Sequence, residues 1–166
     1  AEIGEVADSS VALAEQAAGS LDVVVGGLGL GYTARAALSD ERVRSLIVVE
    51  ALAEVIDWHE RGLVPGAAEL TADPRTRLVH GDFFALVASD DGFDPQAPGR
   101  RVDAILLDID HTPRHVLHPR HAAFYTPAGI RRLARHLRSG GVFALWSDDP
   151  PDDAFLAVLG EVFGQA

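Results

Sequence analysis

The chain has 166 residues, of which 48% are hydrophobic, and its formal net charge at pH 7 is −11. This length and composition predict one folded domain with a full hydrophobic core and exclude a disordered chain. The absence of cysteine excludes disulfides, thiolate catalysis and cysteine-ligated metals, and the acidic charge disfavours binding to the phosphate backbone of nucleic acids.

The first predicted elements are an N-terminal helix within residues 1–20 and a buried strand at residues 21–25. Asp8 and the two serines after it can cap the helix, and Gly19 can end it. No apolar stretch approaches ~18 residues, and no secretory signal opens the chain. We therefore expect a cytoplasmic protein with no membrane partner, in which residues 21–166 form one nucleotide-binding α/β domain.

A glycine-rich turn follows this strand, and the next predicted strand ends in an acid. Residues 26–31 read GGLGLG, a helix is predicted at 33–38, and the strand at 45–50 closes with Glu50. Glycines let the backbone bend sharply and approach a nucleotide, and a strand-end acid can accept hydrogen bonds from both ribose hydroxyls. The pattern predicts an adenosine-bearing ligand held by Gly27, Gly29, Gly31 and Glu50.

The glycines by themselves fit two classes of ligand. Residues 29–34 match the G-x-G-x-x-G/A pattern of dinucleotide-binding domains, with Glu50 near the expected spacing of about 20 residues. Residues 27–31 fit equally well the G-x-G-x-G turn of S-adenosylmethionine-type transferases. A turn that binds nothing is a third interpretation, which the acid at the end of the second strand makes less favoured.

The rest of the chain continues the alternation of strands and helices. Further strands are predicted at 75–80, 102–108 and 142–146, and further helices at 51–61, 126–138 and 152–163. An exposed loop rich in Asp, Gly and Pro is predicted at 88–101, and Gly140-Gly141 separates the helix at 126–138 from the last strand. The alternation predicts an α/β fold with a doubly wound, mostly parallel, Rossmann-like sheet.

Acids lie where three of these strands end. Glu50 closes the second strand, Asp82 follows the third, and Asp108 closes the fourth. Ligands of open α/β sheets bind at the carboxyl ends of the strands, so the three carboxylates should converge on one crevice. An adenosyl-sulfonium site can use all three, with ribose at Glu50, the adenine amine at Asp82 and the reacting group at Asp108. The alternative for Asp82 is a cap on the next helix.

Several segments together resemble the spermidine synthase-like family of polyamine aminopropyltransferases. These segments are VVVGGLGLG, IVVE, VHGDFF, VDAILLDID and FYTPAGIRRLARHLRSGGVFALW. The most specific one lies at residues 103–108, which resemble the D-V-I-I-x-D strand of aminopropyltransferases. The resemblance runs from Leu21 onward and implies a class I S-adenosylmethionine-dependent methyltransferase-like fold.

The resemblance also implies an activity and a set of site residues. The enzyme would move an aminopropyl group from decarboxylated S-adenosylmethionine to a polyamine-type amine. Glu50 would hold the ribose, Gly81 and Asp82 the adenine, and Asp108 the reacting amine, and Phe83 is counted with the cofactor-binding residues. From the chemistry of the reaction, Asp110 could hold a second, distant ammonium of a polyamine. The expected partners are a small cationic amine, which an acidic chain attracts, and a second copy of the chain in a homodimer.

The chain departs from that family in ways that keep other functions open. The glycine turn of spermidine synthases reads G-G-G-D-G, and its acid helps to hold the amine of the donor, whereas this chain has Leu30 there. The D-S-S-D-P motif of the family is replaced by DIDHTP at residues 108–113. The alternatives are a small-molecule methyltransferase that uses S-adenosylmethionine and a non-catalytic nucleoside-binding homologue, and an NAD-dependent oxidoreductase is least favoured.

The sequence also lacks two parts of the family pattern. Nothing in it corresponds to the family's N-terminal β-rich substrate domain, and no antiparallel strand pair follows the fifth predicted strand. The sheet edge beside that strand would remain unpaired, which favours aggregation unless something covers it. We therefore expect the native protein to be longer than this chain.

Four of the seven histidines lie in one loop after the fourth strand. They are His111, His115, His118 and His121. With Asp108 and Asp110 nearby they would suit a metal ion, but the arginines at 114 and 120 between them disfavour one. We therefore predict a polar lid over the substrate and no metal.

Overall fold

The computed structural model describes residues 19–164, so the predicted N-terminal helix falls on residues that lie outside the described range. The described elements, in chain order, are β1 (Leu21–Gly26), α1 (Tyr32–Leu38), β2 (Val43–Glu50), α2 (Ala53–Glu60), α3 (Ala67–Ala72), β3 (Thr76–His80), α4 (Phe83–Ala88), β4 (Val102–Leu107), a short 3₁₀ helix (Pro119–Ala123), α5 (Pro127–Ala134), β5 (Leu137–Leu145) and α6 (Asp153–Phe163).

The predicted sheet is confirmed, because the five described strands form one parallel sheet in the order β3-β2-β1-β4-β5. Alternate residues of the central strands enter two separate apolar clusters: Val24 packs on the side of α4, α5 and α6, and Val23 on the side of α1 and α3. Helices therefore cover both faces, which is why the strands are continuously apolar. The chain changes direction across the sheet at β1, and ligands of such sheets bind beside this point.

The boundary between the helix predicted at 126–138 and the strand predicted at 142–146 lies earlier in the chain than predicted. Helix α5 ends at Ala134 instead of residue 138, and β5 already begins at Leu137, which pairs with Val102. The register then shifts, so that Val142 pairs with Ala104. The glycine pair at 140–141 thus lies inside the strand, where Gly140 adopts a φ of +77° and absorbs the irregularity.

The predicted exposed loop between α4 and β4 is exposed only in part. Phe93 is buried and stacks on Phe83, with 5.2 Å between the ring centroids. The next residue, Asp94, is also buried and pairs with Arg77 at 2.6 Å and Arg100 at 3.0 Å. One aromatic anchor and one neutralised carboxylate therefore fold this polar-looking segment onto the core.

An ionic cluster joins the amino ends of four neighbouring segments. Asp22 on β1 is 1% exposed and contacts Arg44 at 2.7 Å, Arg138 at 2.7 Å and Arg100 at 2.5 Å, and Arg138 also contacts Asp103 at 2.5 Å. Burial by itself raises the pKa of Asp22, but hydrogen bonds from Arg44 and Arg138 and the charge of Arg100 outweigh it and lower the pKa from 3.8 to about 2. The cluster therefore stabilises the folded chain only while Asp22 is ionised.

The described helices are also short. The longest of them, α6, has 11 residues, and none within residues 19–164 has the length and apolar character needed to cross a membrane.

We expect Asp22→Asn to lower the free energy of unfolding at pH 7 by about 2–3 kcal/mol, because three guanidiniums lose their carboxylate. Since the folded-state pKa is depressed, the wild type should keep this stabilisation above about pH 4 and lose it as the pH falls toward 2. Urea unfolding at several pH values measures both effects. Asp57→Asn, at an exposed pair with Arg61, is the control and should change stability by less than ~0.5 kcal/mol. An equally steep acid loss in Asp22→Asn would contradict the assignment.

Candidate functional site

The glycine turn between β1 and α1 contains three residues with a positive φ. They are Gly27 at +97°, Gly29 at +47° and Gly31 at +80°, and Gly31 is also the N-cap of α1. A Cβ atom on Gly27 would lie 2.1 Å from the carbonyl oxygen of Asp108, whereas one on Gly29 would meet nothing within 4 Å. Gly27 thus allows the segments after β1 and β4 to touch, and Gly29 faces open space.

Glu50 is oriented by the backbone on both sides of its carboxylate. The N–H of Leu28, in the glycine turn, donates to Oε2 at 3.0 Å, and the N–H of Leu52 donates to Oε1 at 2.9 Å. Each carboxylate oxygen accepts more than one hydrogen bond, so both can still accept a hydroxyl. The end of β2 therefore presents a fixed double acceptor beside the turn.

Asp108 lies on the other side of the same turn. Its backbone N–H donates to the carbonyl of Gly26 at 2.8 Å, and its Oδ2 accepts the hydroxyl of Thr33 at 2.6 Å. No described residue donates a hydrogen bond to Oδ1. The structure thus brings together Glu50, Asp108 and the glycine turn at one edge of the sheet, each joined to the turn or to α1 by a direct hydrogen bond.

Asp82 is the N-cap of α4, as the alternative interpretation has it. Its Oδ1 accepts the N–H groups of Phe84 at 3.0 Å and Ala85 at 3.3 Å. Its Oδ2 lies 3.1 Å from Nη2 of Arg120, in the loop after β4. A contact between Asp82 and an adenine amine therefore stays a prediction, and it would be shared with Arg120.

Phe83 does not lie where the sequence analysis expects it. The residue is buried in the core, where its ring stacks on Phe93 and contacts the position that a Cβ atom of Gly26 would occupy. The first turn of α4 directs this side chain inward, under the end of β1. Phe83 thus supports the glycine turn from below and presents no exposed surface for an adenine.

Asp110 is also placed differently from the expectation that it holds a distant ammonium. It is 2% exposed, and its carboxylate accepts the backbone N–H of Leu117 at 2.7 Å, Nδ1 of His121 at 3.0 Å and the hydroxyl of Tyr125 at 2.9 Å. Burial raises the pKa of Tyr125 far above its ordinary value, and the charge of Asp110 raises it further. The hydroxyl therefore stays protonated as a donor, and Asp110 is a buried anchor for the loop.

The histidine loop packs against the start of α4. The ring of His121 stacks on Phe84 with 4.0 Å between the centroids, and His111 Nδ1 lies 3.0 Å from Oδ2 of Asp148. Within residues 19–164, no three or more His, Cys, Asp or Glu side chains are grouped as a metal would require.

One residue that supports the turn, His59, was not predicted from the sequence. His59 on α2 is buried, and its Nε2 donates to the carbonyl of Gly29 at 3.0 Å, while Nδ1 has no hydrogen-bond partner among the described residues. Its ring also lies 3.0 Å from the Cβ position of Gly31. The signal was present, because His59 follows Val55 and Ile56 at helical spacing and so continues the inner face of α2.

Comparison with known proteins gives one sequence relative and many structural neighbours. No protein-family model matches the chain. A curated relative, polyamine aminopropyltransferase 2 of Pseudomonas aeruginosa, is 29% identical over 154 residues, which are 87% of this chain and 40% of the relative. The chain therefore spans less than half the length of that relative.

The structural neighbours establish the fold. The spermidine synthase of Thermotoga maritima superposes with a TM-score of 0.64 at 21% identity, covering 89% of this chain and 46% of the neighbour. A spermidine synthase in complex with the transition state analogue AdoDATO gives 0.62 at 20% identity, with coverages of 89% and 46%. Human methyltransferase-like protein 13 in complex with SAH gives 0.60 at 21% identity, with coverages of 87% and 64%. The chain thus has the class I methyltransferase-like α/β fold and resembles the spermidine synthases.

We expect Gly27→Ala to destabilise the protein much more than Gly29→Ala. Both substitutions force a side chain into a positive φ, which costs about 1–2 kcal/mol. Only the methyl group at residue 27 would also overlap a backbone oxygen, which adds about 1–3 kcal/mol. Urea unfolding of the two variants measures the difference, and equal midpoints would contradict the close contact between the turn and Asp108.

Proposed function

We propose that this chain is the nucleotide-binding part of a spermidine synthase-like transferase, which moves an aminopropyl group from decarboxylated S-adenosylmethionine to a polyamine-type amine. The observation that carries the proposal is the hydrogen-bonded constellation of Glu50, the glycine turn and Asp108 at one sheet edge. The relative named polyamine aminopropyltransferase and the neighbour that binds AdoDATO support it.

The nucleoside would bind between the ends of β1, β2 and β3. Glu50 would accept the two ribose hydroxyls, since its oxygens are already aimed by the N–H groups of Leu28 and Leu52. Gly29 would let the ligand approach the backbone closely, and Asp82 would accept the adenine amine beside Arg120. This arrangement follows the rule that ligands of doubly wound sheets bind beside the strand where the order reverses.

The proposed transfer depends mainly on how the amine is positioned against the carbon next to the sulfonium. The amine nitrogen attacks the carbon next to the sulfonium, the new C–N bond forms, and the sulfur leaves with the C–S electron pair as a neutral thioether. Thr33 fixes one oxygen of Asp108 and leaves the other to accept a hydrogen bond from the amine. Holding the two reactants in line supplies much of the acceleration.

A methyl transfer from S-adenosylmethionine is the second candidate, and Leu30 favours it. This side chain lies in the glycine turn, is 55% exposed, and offers no charge to the amine of a decarboxylated donor. Methyltransferase-like protein 13, whose structure contains SAH, shares the fold. A nucleoside-binding homologue without catalysis is the third candidate. Incubation with putrescine and each donor, read by mass spectrometry, distinguishes the three.

Glu50→Ala should weaken binding of methylthioadenosine by about 1–3 kcal/mol, the usual loss for hydrogen bonds to a charged group. Isothermal titration calorimetry measures the affinity, and NAD should not bind to either protein. Glu54→Ala, at an exposed acid in the first turn of α2, is the matched control and should bind like the wild type. Equal affinities in the wild type and Glu50→Ala would remove Glu50 from the site.

Asp108→Asn should reduce turnover by about 10²-fold or more while leaving methylthioadenosine binding nearly intact, because in the proposed site Asp108 positions the reacting amine and does not contact the nucleoside. Product formation from putrescine and calorimetry on the same samples separate the two effects. Asp90→Asn, at a side chain that is 93% exposed, is the control and should keep the full rate. A fully active Asp108→Asn protein would show that this carboxylate has no part in the transfer.

A further inference from the structure

An imidazole–carboxylate pair lies at the same sheet edge and has no role in the function proposed above. Nδ1 of His111 lies 3.0 Å from Oδ2 of Asp148, and the backbone N–H of Asp148 donates to the carbonyl of His111 at 2.8 Å. These two contacts join the segment after β4 to the segment after β5. His111 lies three residues beyond Asp108, and Asp148 lies three residues beyond the end of β5, so the pair is at the carboxyl ends of two adjacent strands.

The contact with Asp148 determines which nitrogen of His111 is basic. An ionised carboxylate only accepts hydrogen bonds, so Nδ1 carries the hydrogen and the lone pair of the neutral ring lies on Nε2. No described residue contacts Nε2 through a hydrogen bond, and the side chain is 63% exposed. The ring thus offers an oriented proton acceptor to a molecule bound at this edge.

The buried anchor Asp110 fixes where this acceptor lies. It stands between Asp108 and His111 in the chain, and it is held by one main-chain N–H, that of Leu117, and by the side chains of His121 and Tyr125. Asp110 is directed into the core and Asp108 is bonded to Thr33, so the main chain that leads from the strand-end carboxylate to His111 is anchored at two points. His111 thus directly follows an anchored residue, and its own exposed ring is held by Asp148.

We propose that His111, oriented by Asp148, accepts the proton that the attacking amine releases, while Asp108 holds that amine. This inference rests on the proposed function and applies to either donor. As the C–N bond forms and the C–S electron pair moves to sulfur, the N–H proton passes to Nε2 of His111. Asp148 stabilises the imidazolium, which returns the proton to solvent. Imidazole suits this step because its ordinary titration range lies nearest neutral pH.

The neighbouring His115 provides a matched control. It lies in the same loop, and its Nδ1 is 4.0 Å from Oδ2 of Asp149, beyond hydrogen-bond distance. The loop thus contains two exposed imidazoles near carboxylates, of which only His111 is bonded to its partner.

The test compares His111→Gln, Asp148→Asn, the double variant and His115→Gln in product formation from putrescine with each donor. His111→Gln should lower kcat by about 10²–10⁴-fold at unchanged affinity for methylthioadenosine, and His115→Gln should keep the wild-type kcat. Asp148→Asn should also lower kcat, and the double variant should be no slower than His111→Gln, because the two side chains act as a unit. Free imidazole should restore part of the rate of His111→Ala, which a purely structural role would not allow.

Three results would overturn the inference. The first is a wild-type kcat in His111→Gln, which leaves the proposed transfer standing. The second is an equal loss of kcat in His115→Gln, which would mean that the whole loop was disturbed. The third is a wild-type protein that binds methylthioadenosine and yields no product with either donor, which overturns the proposed transfer together with this inference.

Discussion

The site depends on the close approach of Gly27 to the main chain of Asp108. No side chain fits between the two segments, so the turn after β1 and the segment after β4 are held in direct contact. That contact places the Asp108 carboxylate within reach of the Thr33 hydroxyl at the start of α1. Gly29, two residues further along the turn, faces open space. A single backbone contact thus joins the turn after β1 to the segment after β4 and leaves the next glycine of the turn accessible.

The acids at the two ends of the strands have different partners: arginines at the amino ends, and mainly backbone N–H groups and a hydroxyl at the carboxyl ends. At the amino ends, Asp22 is buried among three arginines, and its charge stabilises the fold. At the carboxyl ends, Glu50 and Asp108 accept hydrogen bonds from backbone N–H groups and a hydroxyl, which orient a carboxylate without cancelling its charge. Asp82 differs from these two acids, because it pairs with Arg120. The cationic amine or sulfonium of the proposed reaction would therefore meet two carboxylates, Glu50 and Asp108, that the described arginines do not pair with.

The loop after β4 contacts both the start of α4 and the segment after β5. Arg120 contacts the acid before α4, and His121 stacks on Phe84 within the same helix. At its other end the loop carries His111 beside the segment after β5, and the buried Asp110 holds the parts together. This loop lies where the chain departs from the D-S-S-D-P motif of spermidine synthases.

The sequence by itself determined the parallel sheet and the alignment of its strand-end acids. Continuous apolar strands and a glycine turn are local signals, and parallel strands necessarily end at the same edge, so Glu50 and Asp108 could be placed together without a structure. Only the tertiary structure decided which polar residues are buried. Asp110 is directed into the core by partners that follow it by up to 15 residues, and His59 supports a turn 30 residues away, so neither placement is visible in the adjacent sequence. The start of β5 before Gly140 was equally non-local, since pairing with β4 outweighs the tendency of glycines to end an element.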